Sequence, residues 1–143
     1  MPDEDIVLAK VAIIQRCLHR IKEITNFRPE SLDDLLNQDA FILNLQRAVQ
    51  ASIDLAAHIV AFEALGFPLS LKENFRLLYE KNIIDQSLAY EMQQMVSFRN
   101  IAVHDYRAID INVLRSILTK HLKDIEDFYT TILYYYGLVN DQS

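Results

Sequence analysis

Three side chains whose types suit phosphodiester chemistry lie close together in the segment RNIAVHDY, residues 99–106. Cutting RNA without a metal needs a base to take the 2′-hydroxyl proton, an acid for the leaving oxygen, and a positive charge near the phosphorus. His104 can act as either base or acid near neutral pH, because the reference pKa of histidine is about 6.5. Arg99 stays cationic and can bind two phosphate oxygens at once. The pair therefore favours metal-independent cleavage of RNA.

The spacing of Arg99 and His104 does not by itself bring them together. Residues five apart on a regular helix point about 140° away from each other, at ~100° per residue. They can converge if the helix distorts or stops between them, or if a second subunit supplies one of the pair. One motif histidine per chain is few for two proton transfers, which favours the second subunit. Spacing alone favours an ordinary surface arginine and a histidine at a helix end.

The other polar residues offer less chemistry. No two histidines have the i, i+4 spacing of a helical metal site and no HExxH is present, so no metal site is predicted. His19 and His121 are expected at the surface of amphipathic helices. Two glycines are too few for a phosphate-binding loop, so no nucleotide cofactor is expected either. The single cysteine, Cys17, excludes an intramolecular disulfide, and its isoleucine neighbours predict a buried thiol.

Length and charge limit the classes of protein that remain. A chain of 143 residues predicts one domain, residues 1–143. Twenty acidic residues against 14 basic ones give a net charge of −6, which argues against broad binding to duplex nucleic acid but allows a local basic pocket. The N-terminus lacks the pattern of a secretory signal, and no apolar run approaches the ~20 residues of a membrane span. We therefore expect a soluble cytoplasmic protein.

Helical periodicity and capping residues predict an all-α fold. Two glycines and three prolines are too few for the turns of an all-β chain of this length. Apolar residues recur at helical spacing through most of the chain. Together, the scarcity of turn residues and the helical periodicity predict an up-and-down bundle of four main helices plus a short extra helix. Helices are predicted over residues 3–25, 39–65 and 70–81, with Gly66 as the stop of the second. A short helical turn with a capping box of Ser31 and Asp34 is predicted before the second helix. Two more helices are predicted, one starting after Asp85 and one from Asp110 to Gly137.

The segment RNIAVHDY resembles the signature of the HEPN superfamily, an arginine followed after four to six residues by a histidine. The closer match is to the HepT-like toxins, whose pattern is arginine, four residues, histidine, one residue, tyrosine. Arg99, His104 and Tyr106 fit this pattern without a gap. The likeness covers essentially the whole chain, because KVAIIQRCLHRI resembles the first helix of that family, LQRAVQASIDLAAHI its second, and MVSFRNIAVHDY its active segment.

The resemblance implies a specific function. HepT-like proteins are homodimeric ribonucleases of a type VII-like toxin–antitoxin system, with their arginine–histidine motifs in a cleft between subunits. An MntA-like nucleotidyltransferase antitoxin silences them by attaching AMP to the motif tyrosine. The resemblance implies that Arg99 and His104 are catalytic, that Asn100 supports them, and that Tyr106 is the modified residue. Asp54 and His58 are weaker candidates for shaping the cleft. Arg47 and Arg107 are candidates for RNA contacts, although a surface salt bridge is equally expected for Arg47.

A second function belongs to a different class. Some HEPN relatives are non-catalytic helical partners that help a nucleotidyltransferase to bind its substrate. An intact pair of Arg99 and His104 favours the enzyme, because a pure binding module does not need it. Growth distinguishes the two, since expression of a toxin alone should poison a bacterium.

Overall fold

The structure, a computed structural model, describes residues 1–138, and these contain helices and no strand. Four long helical rods, the last of them interrupted by a π turn, form a bundle with one short extra helix. The predicted all-α bundle is therefore confirmed. The elements are α1 Glu4–Thr25, a 3-10 turn Pro29–Asp33, α2 Leu35–Phe62, α3 Leu71–Glu80, α4 Gln86–His104, a 3-10 turn Tyr106–Ala108, α5 Ile111–Ser116, the π turn Ile117–His121, and α6 Leu122–Tyr135.

Side-chain caps set the helix starts. An oxygen of each cap accepts backbone N–H groups that have no partner inside the helix. The predicted capping box of Ser31 and Asp34 is wrong: the Ser31 hydroxyl donates to the Arg28 carbonyl. Asp34 instead caps α2, accepting from the backbone N–H groups of residues 36 and 37 at 2.8 and 3.1 Å. The caps are Asp3, Asp34, Ser70, Asp85 and Asp110.

The two glycines lie after helices, but only one of them ends a helix directly. Helix α2 was expected over residues 39–65, yet it begins four residues earlier, at Leu35, and ends at Phe62. The left-handed residue after it is Ala64, with φ 53°. Gly66 lies in the loop beyond, so its predicted role as the stop of α2 is wrong. Gly137, with φ 68°, does follow α6, and the next N–H donates back to the carbonyl of residue 133 at 2.8 Å.

Helix α2 is the centre of the bundle and contacts α1, α3, α4 and α6. Its early residue Asp39 contacts Tyr106, which follows α4, while Gln50, three turns later, contacts Arg99 within α4. Helices α2 and α4 are therefore antiparallel. The buried apolar residues form one cluster that includes Cys17, as predicted. Its largest fully buried side chains are Phe41, Phe75 and Phe128.

The last helical rod is not regular, although the sequence predicted one helix from residue 110. The π turn Ile117–His121 interrupts it between α5 and α6. Such a turn inserts a residue and shifts the faces of the helix on either side of it. Among residues 1–138 no helix has the length and apolarity that would let it cross a membrane. The cytoplasmic location stays a prediction.

Candidate active site

A chain of hydrogen bonds between three helices holds the guanidinium of Arg99. Its Nε donates to the Gln50 side-chain oxygen at 3.0 Å, and its Nη1 donates to the Asn100 side-chain oxygen at 3.1 Å. The Gln50 amide then donates to Asp54 at 2.9 Å, and Lys10 of α1 donates to the other Asp54 oxygen at 3.3 Å. A guanidinium has further N–H donors, so Arg99 keeps donors for a phosphate.

Helix α4 remains regular between Arg99 and His104. His104 is its last residue, and the N–H of the next residue, Asp105, still donates to the Ile101 carbonyl at 2.8 Å. The helix therefore neither distorts nor stops between the two motif residues, and their side chains start from different faces. The regular helix argues against the first two arrangements that could unite them, and the contribution of a second copy stays a prediction. The His104 side chain is exposed at the end of the helix, open to such a copy.

Tyr106 lies beyond the end of α4 and does not share the helical face of Arg99. The chain leaves α4 at Asp105, with φ −150° and ψ 74°, and enters the 3-10 turn that Tyr106 begins. The Tyr106 hydroxyl donates to a carboxylate oxygen of Asp39. Partial burial of the hydroxyl, followed by this hydrogen bond and the negative charge of Asp39, raises the pKa of Tyr106 to about 12. The hydroxyl is thus protonated at neutral pH, on a residue that is 44% exposed.

One face of α2 supports both ends of the motif. Asp39 and Gln50 are eleven residues apart, so they point within about 20° of each other on a regular helix. The resemblance to the second helix of the family drew attention to Asp54, but no functional role was predicted for Gln50, Asp39 or Lys10. The only sequence signal for Gln50 is its position one helical turn before Asp54. That signal becomes meaningful only once α2 is known to pack against α4.

The remaining site candidates do not join this network. His58 lies one turn beyond Asp54; its Nε2 is buried, and among residues 1–138 it has no hydrogen-bond partner. Arg47 and Arg107 are exposed. Burial raises the pKa of the Cys17 thiol, and the charge of Arg47 is the largest effect opposing it, which places Arg47 beside α1. A role of His58 in the cleft, and contacts of the two arginines with RNA, stay predictions.

An apolar groove runs between α4 and the α5 side of the last rod. Its volume is about 640 Å³, and its lining includes Phe98, Ile101, Ile109 and Val113. Ile101 and Val113 remain 45% and 48% exposed, and Val103, next to His104, is 44% exposed. Exposed apolar side chains therefore flank the arginine–histidine motif on α4.

A second group of polar side chains lies farther back along α4. Glu91 of α4 meets His121 and Asp124 of the last rod, and the three could hold a metal ion. Spacing along the sequence predicts no such group, because its members come from two different helical rods. It is separate from the network that holds Arg99.

Comparisons with known proteins identify the family of this chain. The model of the family "Ribonuclease HepT-like" matches residues 14–132. The curated protein "mRNA nuclease HepT" of Shewanella oneidensis is 40% identical over 128 residues, which are 90% of this chain and 96% of that protein.

Two solved structures are similar over nearly their whole length. One is a toxin–antitoxin with AMP-PNP, with a TM-score of 0.86 and 38% identity, covering 92% of this chain and 99% of the other. The other is a tri-AMPylated HEPN toxin of Shewanella oneidensis in complex with the MNT antitoxin, with a TM-score of 0.86 and 38% identity, covering 94% of this chain and 99% of the other. With a matching family model, sequence and fold, the chain belongs to the ribonuclease HepT-like family.

Proposed function

We propose that this chain is the toxin of a type VII-like toxin–antitoxin pair, an endoribonuclease that needs no metal and acts in a cleft shared by two copies. The main support for this proposal is the position of the Arg99 guanidinium. Gln50 and Asn100 hold it by hydrogen bonds that leave further N–H donors for a phosphate. Family membership and the name of the Shewanella relative, mRNA nuclease HepT, support it.

The reaction follows from what Arg99 and His104 can supply. The guanidinium binds non-bridging oxygens of the scissile phosphate and offsets the charge that builds up as the 2′-oxygen attacks. The imidazole of one His104 takes the 2′-hydroxyl proton, and a protonated His104 gives a proton to the 5′-oxygen as its bond to phosphorus breaks. The products are a 2′,3′-cyclic phosphate and a free 5′-hydroxyl. Two proton transfers and one motif histidine per chain call for two copies.

The second copy is best accommodated along the exposed end of α4. Arg99 and His104 start from different faces of this helix, so a symmetric partner can bring its His104 towards Arg99. Ile101, Val103 and Val113 flank the motif and are exposed in the single chain. Apolar side chains around a polar centre are typical of homodimer interfaces.

Tyr106 is the residue on which control by a nucleotidyltransferase antitoxin would act. The similar Shewanella toxin is AMPylated and in complex with its MNT antitoxin. Transfer of AMP from a nucleoside triphosphate to the Tyr106 oxygen releases pyrophosphate, and the hydroxyl loses its proton. The hydrogen bond to Asp39 is then lost, because the modified oxygen cannot donate. Each phosphodiester adds bulk and about one negative charge beside the RNA path, which opposes binding of RNA.

Cleavage of RNA in excess EDTA tests the proposed reaction. The unmodified chain should cut RNA and leave cyclic or 2′(3′)-phosphate ends, while His104→Ala should lose about 10²–10⁴ in rate. His19→Ala is the matched control, because His19 is an exposed histidine on α1, and it should keep full activity. Full activity in His104→Ala, or activity that EDTA abolishes and Mg²⁺ restores, would overturn the mechanism. No cleavage by the unmodified chain would favour the non-catalytic helical partner.

A further inference from the structure

Glu91, His121 and Asp124 form a compact group that the proposed reaction does not use. His121 is the last residue of the π turn, and Asp124 lies in the first turn of α6. The His121 Nδ1 lies 3.0 Å from an Asp124 oxygen and 3.4 Å from a Glu91 oxygen. One ligand atom from each residue can be chosen so that all lie within 4.8 Å of one another. Asp124 is buried, with only 8% of its surface exposed.

We propose that Glu91, His121 and Asp124 bind one divalent cation of the Zn²⁺ type. Zn²⁺ takes imidazole nitrogen and carboxylate oxygen at about 2.0–2.2 Å in tetrahedral sites, which places neighbouring ligand atoms roughly 3.3 Å apart. The distances from the His121 nitrogen to the two carboxylates already fit that spacing. Three protein ligands leave the fourth position for a water molecule. One neutral imidazole and two carboxylates also balance the charge of the cation.

Solvent reaches this group from two sides. One cleft of about 270 Å³ is lined by Glu91 and Asp124 and also by Asp85 and Asp127. The other, of about 500 Å³, is lined by all three ligands and also by Lys120 and Lys123. The cation therefore has an entry path, which a binding site needs. The two aspartates attract a cation into the first cleft, while the two lysines line only the second.

The cation would act on the structure rather than on the reaction. Glu91 precedes Arg99 by eight residues on α4, about 12 Å at ~1.5 Å per residue. Glu91 and His121 also line the apolar groove between α4 and the last rod. A bound cation therefore links the two walls of that groove, next to the irregular π turn. This role does not depend on the proposed ribonuclease activity.

A simple ion pair is the alternative for these contacts. A protonated His121 between two carboxylates satisfies the same distances without any metal. His121→Lys separates the two cases, because a lysine ammonium keeps the positive charge but has no lone pair for a metal. His19→Asn is the matched control, since His19 pairs with a single carboxylate, that of Glu23, at 3.0 Å on the surface of α1.

The test is titration of ZnCl₂ into the tag-free full chain after removal of metal with EDTA and dialysis. Calorimetry should find one Zn²⁺ per chain for the unchanged protein and for His19→Asn. At a hundredfold excess over the Kd, Zn²⁺ should raise their Tm by about 5–10 °C. Mg²⁺ should shift the Tm little, because it prefers six oxygen ligands. His121→Lys should bind no Zn²⁺ and show no shift.

The proposal is overturned if the unchanged protein binds no Zn²⁺, or if His121→Lys responds as the unchanged protein does. If His121→Lys does not fold, Glu91→Gln decides, since its neutral amide should weaken Zn²⁺ binding at least tenfold. Undiminished binding by Glu91→Gln would also reject the site. Cleavage of RNA in EDTA reports on the ribonuclease separately, so failure of one proposal leaves the other standing.

Discussion

At the scale of single residues, the partner of Arg99 on α2 is the neutral amide of Gln50 rather than a carboxylate. A carboxylate in the place of Gln50 would neutralise the guanidinium and compete with the phosphate for it. The amide accepts one N–H bond without adding charge, and its own N–H₂ group donates to Asp54. The negative charge of Asp54 is in turn balanced by Lys10 rather than by the arginine. Arg99 is therefore oriented while its positive charge remains available.

This arrangement makes Gln50 a positioning residue. Gln50→Leu should lower kcat/KM for RNA by about 10–100-fold, because a hydrogen bond to a charged group contributes about 1.5–3 kcal/mol. Gln50→Glu should also lower it, because the new carboxylate pairs with Arg99. Circular dichroism and Tm should show intact folding. Gln46→Leu, one turn earlier on the same helix, is the control and should stay active. Full activity in Gln50→Leu would mean that Arg99 needs no support from α2.

The contact of Tyr106 with Asp39 predicts an unusual titration. The neutral hydroxyl is favoured in the folded chain, since the pKa of Tyr106 rises to about 12 from a usual value of 10. This preference for the neutral hydroxyl stabilises the folded chain fully below about pH 10, and the stabilisation is lost as the pH rises towards 12. The ultraviolet titration of the protein minus that of Tyr106→Phe should isolate this tyrosine.

Asp39→Ala should lower the pKa of Tyr106, but not fully to its usual value, because burial is the larger cause of the shift. A difference titration centred near pH 10 in the unchanged protein would show that the contact with Asp39 is not formed in solution.

The variant Tyr106→Phe distinguishes the toxicity of the chain from its neutralisation by a nucleotidyltransferase. Tyr106→Phe should remain toxic, because the hydroxyl has no proton-transfer role, but a cognate nucleotidyltransferase should fail to neutralise it by catalysis. When produced with that enzyme, the unchanged chain should gain the mass of one or more AMP units, mapped to Tyr106. Tyr90→Phe, an exposed tyrosine elsewhere on α4, is the control and should still be modified and silenced.

Two results would contradict this assignment of Tyr106. Inactivity of Tyr106→Phe without the partner would place the hydroxyl in the catalytic machinery. Toxicity that is still fully neutralised would mean that the partner acts by binding alone.

At the scale of helices, capping residues predicted several starts but not that of α2, which was expected at about residue 39 and begins at Leu35. An N-cap depends on one side chain and the next few N–H groups, so Asp85 and Asp110 were identifiable from the sequence. The end of α2 was misplaced because Ala64 adopts a left-handed conformation that usually favours glycine. The π turn has no local signature either, so a regular helix was expected through residue 121.

The site follows the same division between local and distant contacts. The motif residues are close in sequence, and their pattern identified Arg99, His104 and Tyr106. Gln50 and Asp39 became visible only when the antiparallel packing of α2 and α4 placed them against the motif. Glu91 and His121 are thirty residues apart on different rods, so no spacing rule for a single helix could unite them.

At the scale of the whole molecule, charge and shape both favour two copies. A chain of net charge −6 repels RNA as a whole, so binding must come from a local cluster of cations. A symmetric pair doubles the arginines in one cleft, adding a second Arg99 to the first, and supplies two copies of His104 for two proton transfers. The same association would cover the exposed apolar residues at the end of α4.

A charge placed at this end of α4 should separate the copies. Ile101 is 45% exposed and lies between Arg99 and His104. Ile101→Asp should convert the dimer to single chains in light scattering after gel filtration, because a buried, unpaired carboxylate is costly at an apolar interface. The proposed cleft needs both copies, so cleavage of RNA should fall at least about 100-fold at concentrations where the proposed dimer is lost.

Phe67→Asp is the control for Ile101→Asp. It changes an apolar residue that is even more exposed, at 93%, in the loop that precedes α3. It should leave the mass in light scattering and the cleavage of RNA unchanged. In the proposed reaction a single copy has only one motif histidine, His104, for the two proton transfers. A single-chain Ile101→Asp protein with full activity would therefore refute the shared cleft, and the whole reaction would have to be assigned to one Arg99 and one His104.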